Sequence, residues 1–122
     1  MAAAEKLVVI VTHGIREPER ATIPFVMAGA ALASDVEVAM AFQADGIELL
    51  KAGAVETVLA AGFPPLAKLF ADVRALGGSL LACSPCMTAR GIVPADLVDG
   101  AEVVAAGRLI AEITSATSTL TY

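Results

Sequence analysis

Cys83 and Cys86 are the two cysteines of the 122-residue chain, three positions apart in Leu80-Leu81-Ala82-Cys83-Ser84-Pro85-Cys86-Met87-Thr88-Ala89-Arg90-Gly91-Ile92. Thiols at that spacing point to redox chemistry, sulfur handling or metal binding rather than to the disulfide framework of a secreted domain. A structural zinc site asks for four ligands, and His13, the single histidine, is the one further nitrogen available, so no metal and no cofactor is expected. A cysteine that ends a strand and opens a helix faces unpaired backbone N–H groups and the positive end of the helix, which favours thiolate over thiol. The apolar run Leu80 to Ala82 reads as such a strand, with Ser84 as N-cap and Pro85 as the first helical residue. Cys83 is therefore expected at the turn itself with a depressed pKa, and Cys86 in the first turn of the helix. His13 is the candidate general base or cationic partner of Cys83, and Arg90, one turn beyond Cys86, the candidate binder of an anionic sulfur species. Each also has a plain reading, as a small buried hydrophobe, a loop histidine that caps a backbone group, or a surface arginine. No phosphate-cradling glycine loop, Ser-His-Asp order or paired-carboxylate motif stands out.

These residues need a frame that brings them to one place. Lys6 to Val11 is a continuous β-branched run, the pattern of a central parallel strand covered on both faces, and Thr12-His13-Gly14 ends it. The charged stretch Arg16 to Arg20 reads as a loop, after which Thr22 and Pro24 open a helix through about Ser34. That helix is apolar all round from Phe25 to Ala33, which calls for cover on more than one side and marks it as a subunit contact. Asp35 to Phe42 reads as a strand entering the core from an exposed start. Ala44 to Ala52 reads as a short helix with Ile47 and Leu50 on one side, stopped by Gly53, and Val55 to Ala60 as either a short strand or an extended connection. After Gly62-Phe63-Pro64-Pro65, the spacing of Leu66, Leu69, Phe70, Val73 and Leu76 predicts an amphipathic helix ended by Gly77-Gly78. Ser79 to Ala82 is the strand that delivers Cys83. Pro94 to Gly100 reads as a turn or a helical piece, Glu102 to Val104 as a brief strand, Ala106 to Ser115 as a helix with Leu109, Ile110 and Ile113 inward, and Thr117 to Tyr122 as a last strand.

Alternation of this kind predicts one domain over residues 1–122, a three-layer α/β/α sandwich on a mainly parallel sheet of four or five strands. Parallel strands all end on one edge, where ligands bind, so His13, Gln43 and Cys83 are expected on one rim. A net charge of −5 and few aromatic residues argue against nucleic acid. Hydrophobic residues make up 57% of the chain, yet no charge-free run reaches the ~18 residues of a spanning helix. A chain so apolar is expected to bury part of its surface in an oligomer. The start, Met1 to Lys6, has no signal-peptide pattern, which sets the expectation of a cytoplasmic protein.

Over almost its whole length the chain resembles the DsrE/DsrF-like family of small sulfur-relay proteins, of the DsrE and TusD type. The resemblance is carried by the opening strand with Thr12-His13-Gly14, the Pro24 helix, Gly62-Phe63-Pro64-Pro65-Leu66, and Cys83 eight residues before Gly91 in Arg90-Gly91-Ile92. It implies an α/β sandwich assembled as trimers or hexamers of like or related chains. It also implies that the cysteine matching Cys83 receives sulfur as a persulfide, as a sulfurtransferase would, and passes it from a donor protein to an acceptor. Cys86 departs from the TusD pattern. It opens a second reading, a thiol-disulfide oxidoreductase in which Cys83 attacks and Cys86 resolves, beside a third, an oligomeric subunit without catalysis.

Overall fold

A computed structural model describes residues 4–122; Met1 to Ala3, part of the stretch tested for a signal peptide, lie outside it. Five strands, β1 (Lys6–Val11), β2 (Glu37–Phe42), β3 (Ser79–Cys83), β4 (Ala101–Val104) and β5 (Ser118–Thr121), form one sheet in the order β4-β3-β2-β1-β5. Every neighbouring pair is parallel. Four α-helices accompany them: α1 (Pro18–Ala33), α2 (Leu66–Ala75), α3 (Ser84–Ala89) and α4 (Ala106–Thr114).

The strand order dictates the layers. A right-handed crossover puts its helix on one face when the chain steps one way along the sheet and on the other face when it steps back. The steps from β1 to β2 to β3 go one way, and α1 and α2 share a face, where Phe25 stacks with Phe42 and Phe70 at 5.9 and 5.6 Å above Val9, Val11, Met40 and Ala82. The return from β4 to β5 carries α4 to the opposite face, over Val8, Ala39, Ala41, Leu81 and Val104. Lys6 holds α4 there through an ion pair with Glu112 and a 3.0 Å hydrogen bond to the Ser115 hydroxyl.

Several boundaries differ from the sequence reading. Helix α1 begins at Pro18 rather than Pro24, so most of the charged stretch read as a loop is helical. Pro18 fills a first-turn position where a missing N–H costs nothing, and the Thr22 hydroxyl donates to the Pro18 carbonyl at 2.6 Å instead of opening the helix. Pro24 then lies inside the helix and is buried. Residues Ala44–Leu50 form a 3-10 helix, in which the three-residue spacing of Ile47 and Leu50 directs both inward, and Ala54–Thr57 form a second, where the sequence reads as a short strand or an extended connection. In α4, Leu109 and Ile113 are half-buried, but Ile110 is exposed and not inward. No helix among the described residues is long and apolar enough to cross a membrane.

Candidate functional site

Cys83 is the last residue of β3, paired in register with Val104 of β4. Side chains alternate along a strand, so Cys83 shares the α4 face with Leu81, whereas Leu80 and Ala82 enter the α1–α2 core. Here the two neighbouring strands send the chain to opposite faces. After β3 it turns into α3, whose Met87 joins the α1–α2 core together with Ile92, and after β4 it turns into α4 on the other side. Such a point of divergence at the carboxyl ends of parallel strands leaves a crevice, the usual place for a ligand in an open sheet.

The turn is tighter than the sequence reading has it. Cys83 itself is the N-cap, with extended backbone at φ −68° and ψ 114°, and Ser84 is already helical. Cys83 keeps its pairing to β4 and the helix starts at the next residue, so no position is left for Ser84 to cap. Nor is the thiol activated as expected. Burial pushes the Cys83 thiol above its ordinary pKa, and contact with the Cys86 thiol pushes the same way; the backbone N–H of Cys86 and the charge of Arg90 oppose them without prevailing. Helix α3 spans six residues and has no side-chain capping bond, a weak source of the field that was to lower this pKa.

Cys86 packs against the α1–α2 core, and its sulfur accepts a 3.3 Å hydrogen bond from the backbone N–H of Ala44. Ala44 has a left-handed backbone, φ 49°, at the start of the 3-10 helix that lies beside the thiols. Two glycines let that helix come so close. A Cβ on Gly46 would stand 2.1 Å from the Val11 carbonyl oxygen, and one on Gly14 would stand 2.3 Å from the Asp45 carbonyl oxygen. Arg90 completes the link, donating to Asp45 Oδ1 at 2.9 Å and to the Cys86 carbonyl oxygen at 3.2 Å. The hydrogen bond to Asp45 raises the Arg90 pKa further, and the guanidinium serves as a strut between α3 and the 3-10 helix. Sequence reasoning missed Gly14, Ala44, Asp45 and Gly46 as supports of the thiols. The signal for the two glycines was there, since each falls just past a strand end.

His13 lies past the end of β1, with β2 between β1 and the thiol-bearing β3, and its ring Nδ1 sits 3.3 Å from the Thr12 hydroxyl. It is not among the groups that shift the Cys83 thiol. Gln43, past the end of β2, shares the rim with Cys83 and helps line a groove between α4 and the sheet. The groove, about 320 Å³, has Ala41, Leu81 and Val104 as floor and Leu109 and Ile113 as wall. Among the described residues no cluster of three or more His, Cys, Asp and Glu side chains is placed to hold a metal ion. Both cysteines are free and half-buried.

An all-parallel α/β domain with a pair of free thiols at its strand-divergence point is thus the class that fold and site define. The sequence profile of the DsrE/DsrF-like family matches residues 5–122, and the chain belongs to that family. The same fold is found in the ychN protein of E. coli, with a TM-score of 0.81 at 19% identity over 97% of this chain and 99% of that one. It recurs in a protein of unknown function from Methanobacterium thermoautotrophicum, MTH1491, with a TM-score of 0.75 at 15% identity and the same coverage of both chains. In sequence the chain is similar to an uncharacterized protein of Methanocaldococcus jannaschii, MJ0760, at 29% identity over 102 residues, 84% of this chain. It spans 37% of that relative's length.

Proposed function

We propose that the protein is a sulfur carrier, accepting sulfane sulfur on Cys83 as a persulfide and yielding it to a partner thiol in a reducing compartment such as the cytoplasm. The observation that carries this reading is Cys83 at the strand-divergence point with its side chain on the groove face, in a family whose sulfur-relay theme fits such a thiol. In the loading step the Cys83 thiolate attacks the outer sulfur of a donor persulfide, the donor S–S bond breaks, and the donor thiolate leaves with the electron pair. Unloading repeats the exchange with an acceptor thiolate attacking and Cys83 leaving, so no oxidant or reductant is consumed. Cys86, held by the Ala44 N–H, is the neighbour that shapes the Cys83 thiol.

Contact between the two thiols favours one rival, a dithiol that cycles through a Cys83–Cys86 disulfide. Mass spectrometry after incubation with a persulfide donor separates the two. A carrier shows the mass of one added sulfur on wild type and on Cys86→Ser, and none on Cys83→Ser. If Cys83→Ser loads at the wild-type rate, Cys86 is the acceptor; if wild type instead loses two hydrogens and retains no sulfur, the oxidoreductase replaces the carrier.

A further inference from the structure

The groove beside Cys83 is more than an approach to a thiol. Its lining contains two polar side chains, Gln43 and Cys83, and no carboxylate, ammonium, guanidinium or imidazole. A second cleft is its opposite, with Glu48, Lys51 and Arg90 in its lining and neither cysteine. Sulfane sulfur travels in two chemical forms, as anions such as persulfides and as neutral chains of sulfur capped by carbon. An anion entering the groove gives up hydration and meets no counter-charge, which makes its burial costly. A neutral polysulfane has no hydration shell of that kind to lose, and its soft sulfurs and hydrocarbon caps gain from contact with aliphatic walls. At about 320 Å³ the groove is at the small end of ligand pockets, of a size for a short chain rather than a cofactor.

We propose that the groove is a substrate site for neutral organic polysulfanes, R–S–S–S–R with short alkyl groups, and that Cys83 takes the central sulfur from them. The proposal rests on the carrier reading and names its donor. The Cys83 thiolate attacks the central sulfur; one S–S bond breaks and RS⁻ leaves with the electron pair. The departing RS⁻ then attacks the carbon-bearing sulfur of Cys83–S–S–S–R, so that RSSR is released and Cys83 keeps one sulfur as its persulfide. One trisulfide and one thiol become one disulfide and one persulfide, with no external oxidant. Apolar walls hold the alkyl groups, and burial of the Cys83 thiol is the counterpart of a site built for an uncharged donor.

The test compares dipropyl trisulfide with glutathione persulfide on the full chain, following sulfur on Cys83 by mass spectrometry and dipropyl disulfide by chromatography. Two variants alter the groove at positions already exposed, Ala106→Trp at its mouth and Ile110→Glu at its rim, so neither disturbs the core. Wild type should load from the trisulfide and release one disulfide per sulfur gained. Each variant should slow trisulfide loading by about tenfold and glutathione persulfide loading by clearly less; equal slowing of both donors overturns the proposal. If the trisulfide loads as fast in both folded variants as in wild type, or only glutathione persulfide loads wild type, the proposal is overturned and the carrier reading stands. If the variants change the sedimentation of the protein but not its trisulfide rate, a second copy fills the groove and the proposal is likewise overturned. Failure of both donors to load Cys83 overturns the carrier reading itself.

Discussion

Replacing Gly46 by alanine tests whether the 3-10 helix is what positions Cys86. The new Cβ would stand 2.1 Å from the Val11 carbonyl oxygen and 2.7 Å from the carbonyl carbon. Both atoms belong to the backbone of β1, which is hydrogen-bonded to β2 on one side and β5 on the other and has no room to retreat. The 3-10 helix must therefore move outward. Overpacking costs about 1–3 kcal/mol, and an unyielding neighbour puts this case at the upper end, roughly 3 kcal/mol. For a domain of this size the loss corresponds to a fall in Tm on the order of 10 °C. The outward movement also lengthens the 3.3 Å bond from Ala44 N–H to Cys86 Sγ and parts Asp45 from Arg90, while Cys83 stays anchored in β3. Thermal unfolding by circular dichroism, with alkylation of each cysteine followed on separate peptides, measures both effects. Gly53→Ala is the control: its φ of 82° strains an alanine by about 1–2 kcal/mol, but no atom lies within 4 Å of the added carbon. Gly46→Ala should melt well below Gly53→Ala and should alone change the alkylation rate of Cys86. Equal melting with an unchanged Cys86 rate would refute the role given to the 3-10 helix.

Other consequences are equally open to measurement. Cys86→Ala removes the neighbouring thiol but not the burial, so the midpoint of Cys83 alkylation against pH should move down; an unmoved midpoint would contradict the coupling. Because the folded Cys83 pKa lies above its unfolded value, this group stabilises the fold fully below the unfolded pKa, and its contribution fades as pH rises through the folded one. Glu112 has the reverse sign: Lys6 holds its pKa below the usual carboxylate value, so its contribution is present above about pH 4.3 and lost as pH falls through the folded pKa. Glu112→Gln should accordingly lower Tm by a few degrees at pH 7 and by little at pH 3. A gap of equal size at both values would argue against an ionic tether. Met27, 41% exposed on α1 next to exposed Ala30, is the place to break an oligomer built on that helix, and Met27→Glu should reduce the sedimenting mass to that of one chain. A wild-type protein already monomeric at micromolar concentration would end that expectation.

Much of the frame is legible in the residues because each strand carries its own evidence. The unbroken apolar run of β1 announces a strand buried on both faces, and the alternation with amphipathic α2 fixes a parallel sheet. Proline misled at α1, where two prolines each suit a helix start and only the packing of Phe25 and Ala28 shows that the helix is already running by Pro24. Ile110 misled because helical spacing identifies a stripe but not its width; α4 is a single helix over a wide sheet face, and its outer apolar residue finds nothing to cover it. At the site, the position of Cys83 is a local property and was readable. Its pKa depends on how deeply β3, β4 and α4 enclose it, and the Ala44 donor comes from 42 residues away in sequence. Those are tertiary facts, beyond the reach of any single stretch.

The pairing of β5 with β1 has a consequence for how the molecule comes into being. Residues Lys6 and Thr117, joined by a hydrogen bond, are 111 positions apart, whereas β1, β2 and β3 with α1 and α2 are complete by Cys83. Contacts between distant residues carry the larger closure entropy and form late. The first two thirds of the chain therefore contain the α1–α2 layer and Cys83, with Val8, Ala39, Ala41 and Leu81 bare on the other side. Until β4, α4 and β5 arrive, a nascent chain presents an apolar sheet face and two unpaired sheet edges to its surroundings, the features by which folding intermediates aggregate. The groove beside Cys83 is the last part of the molecule to exist.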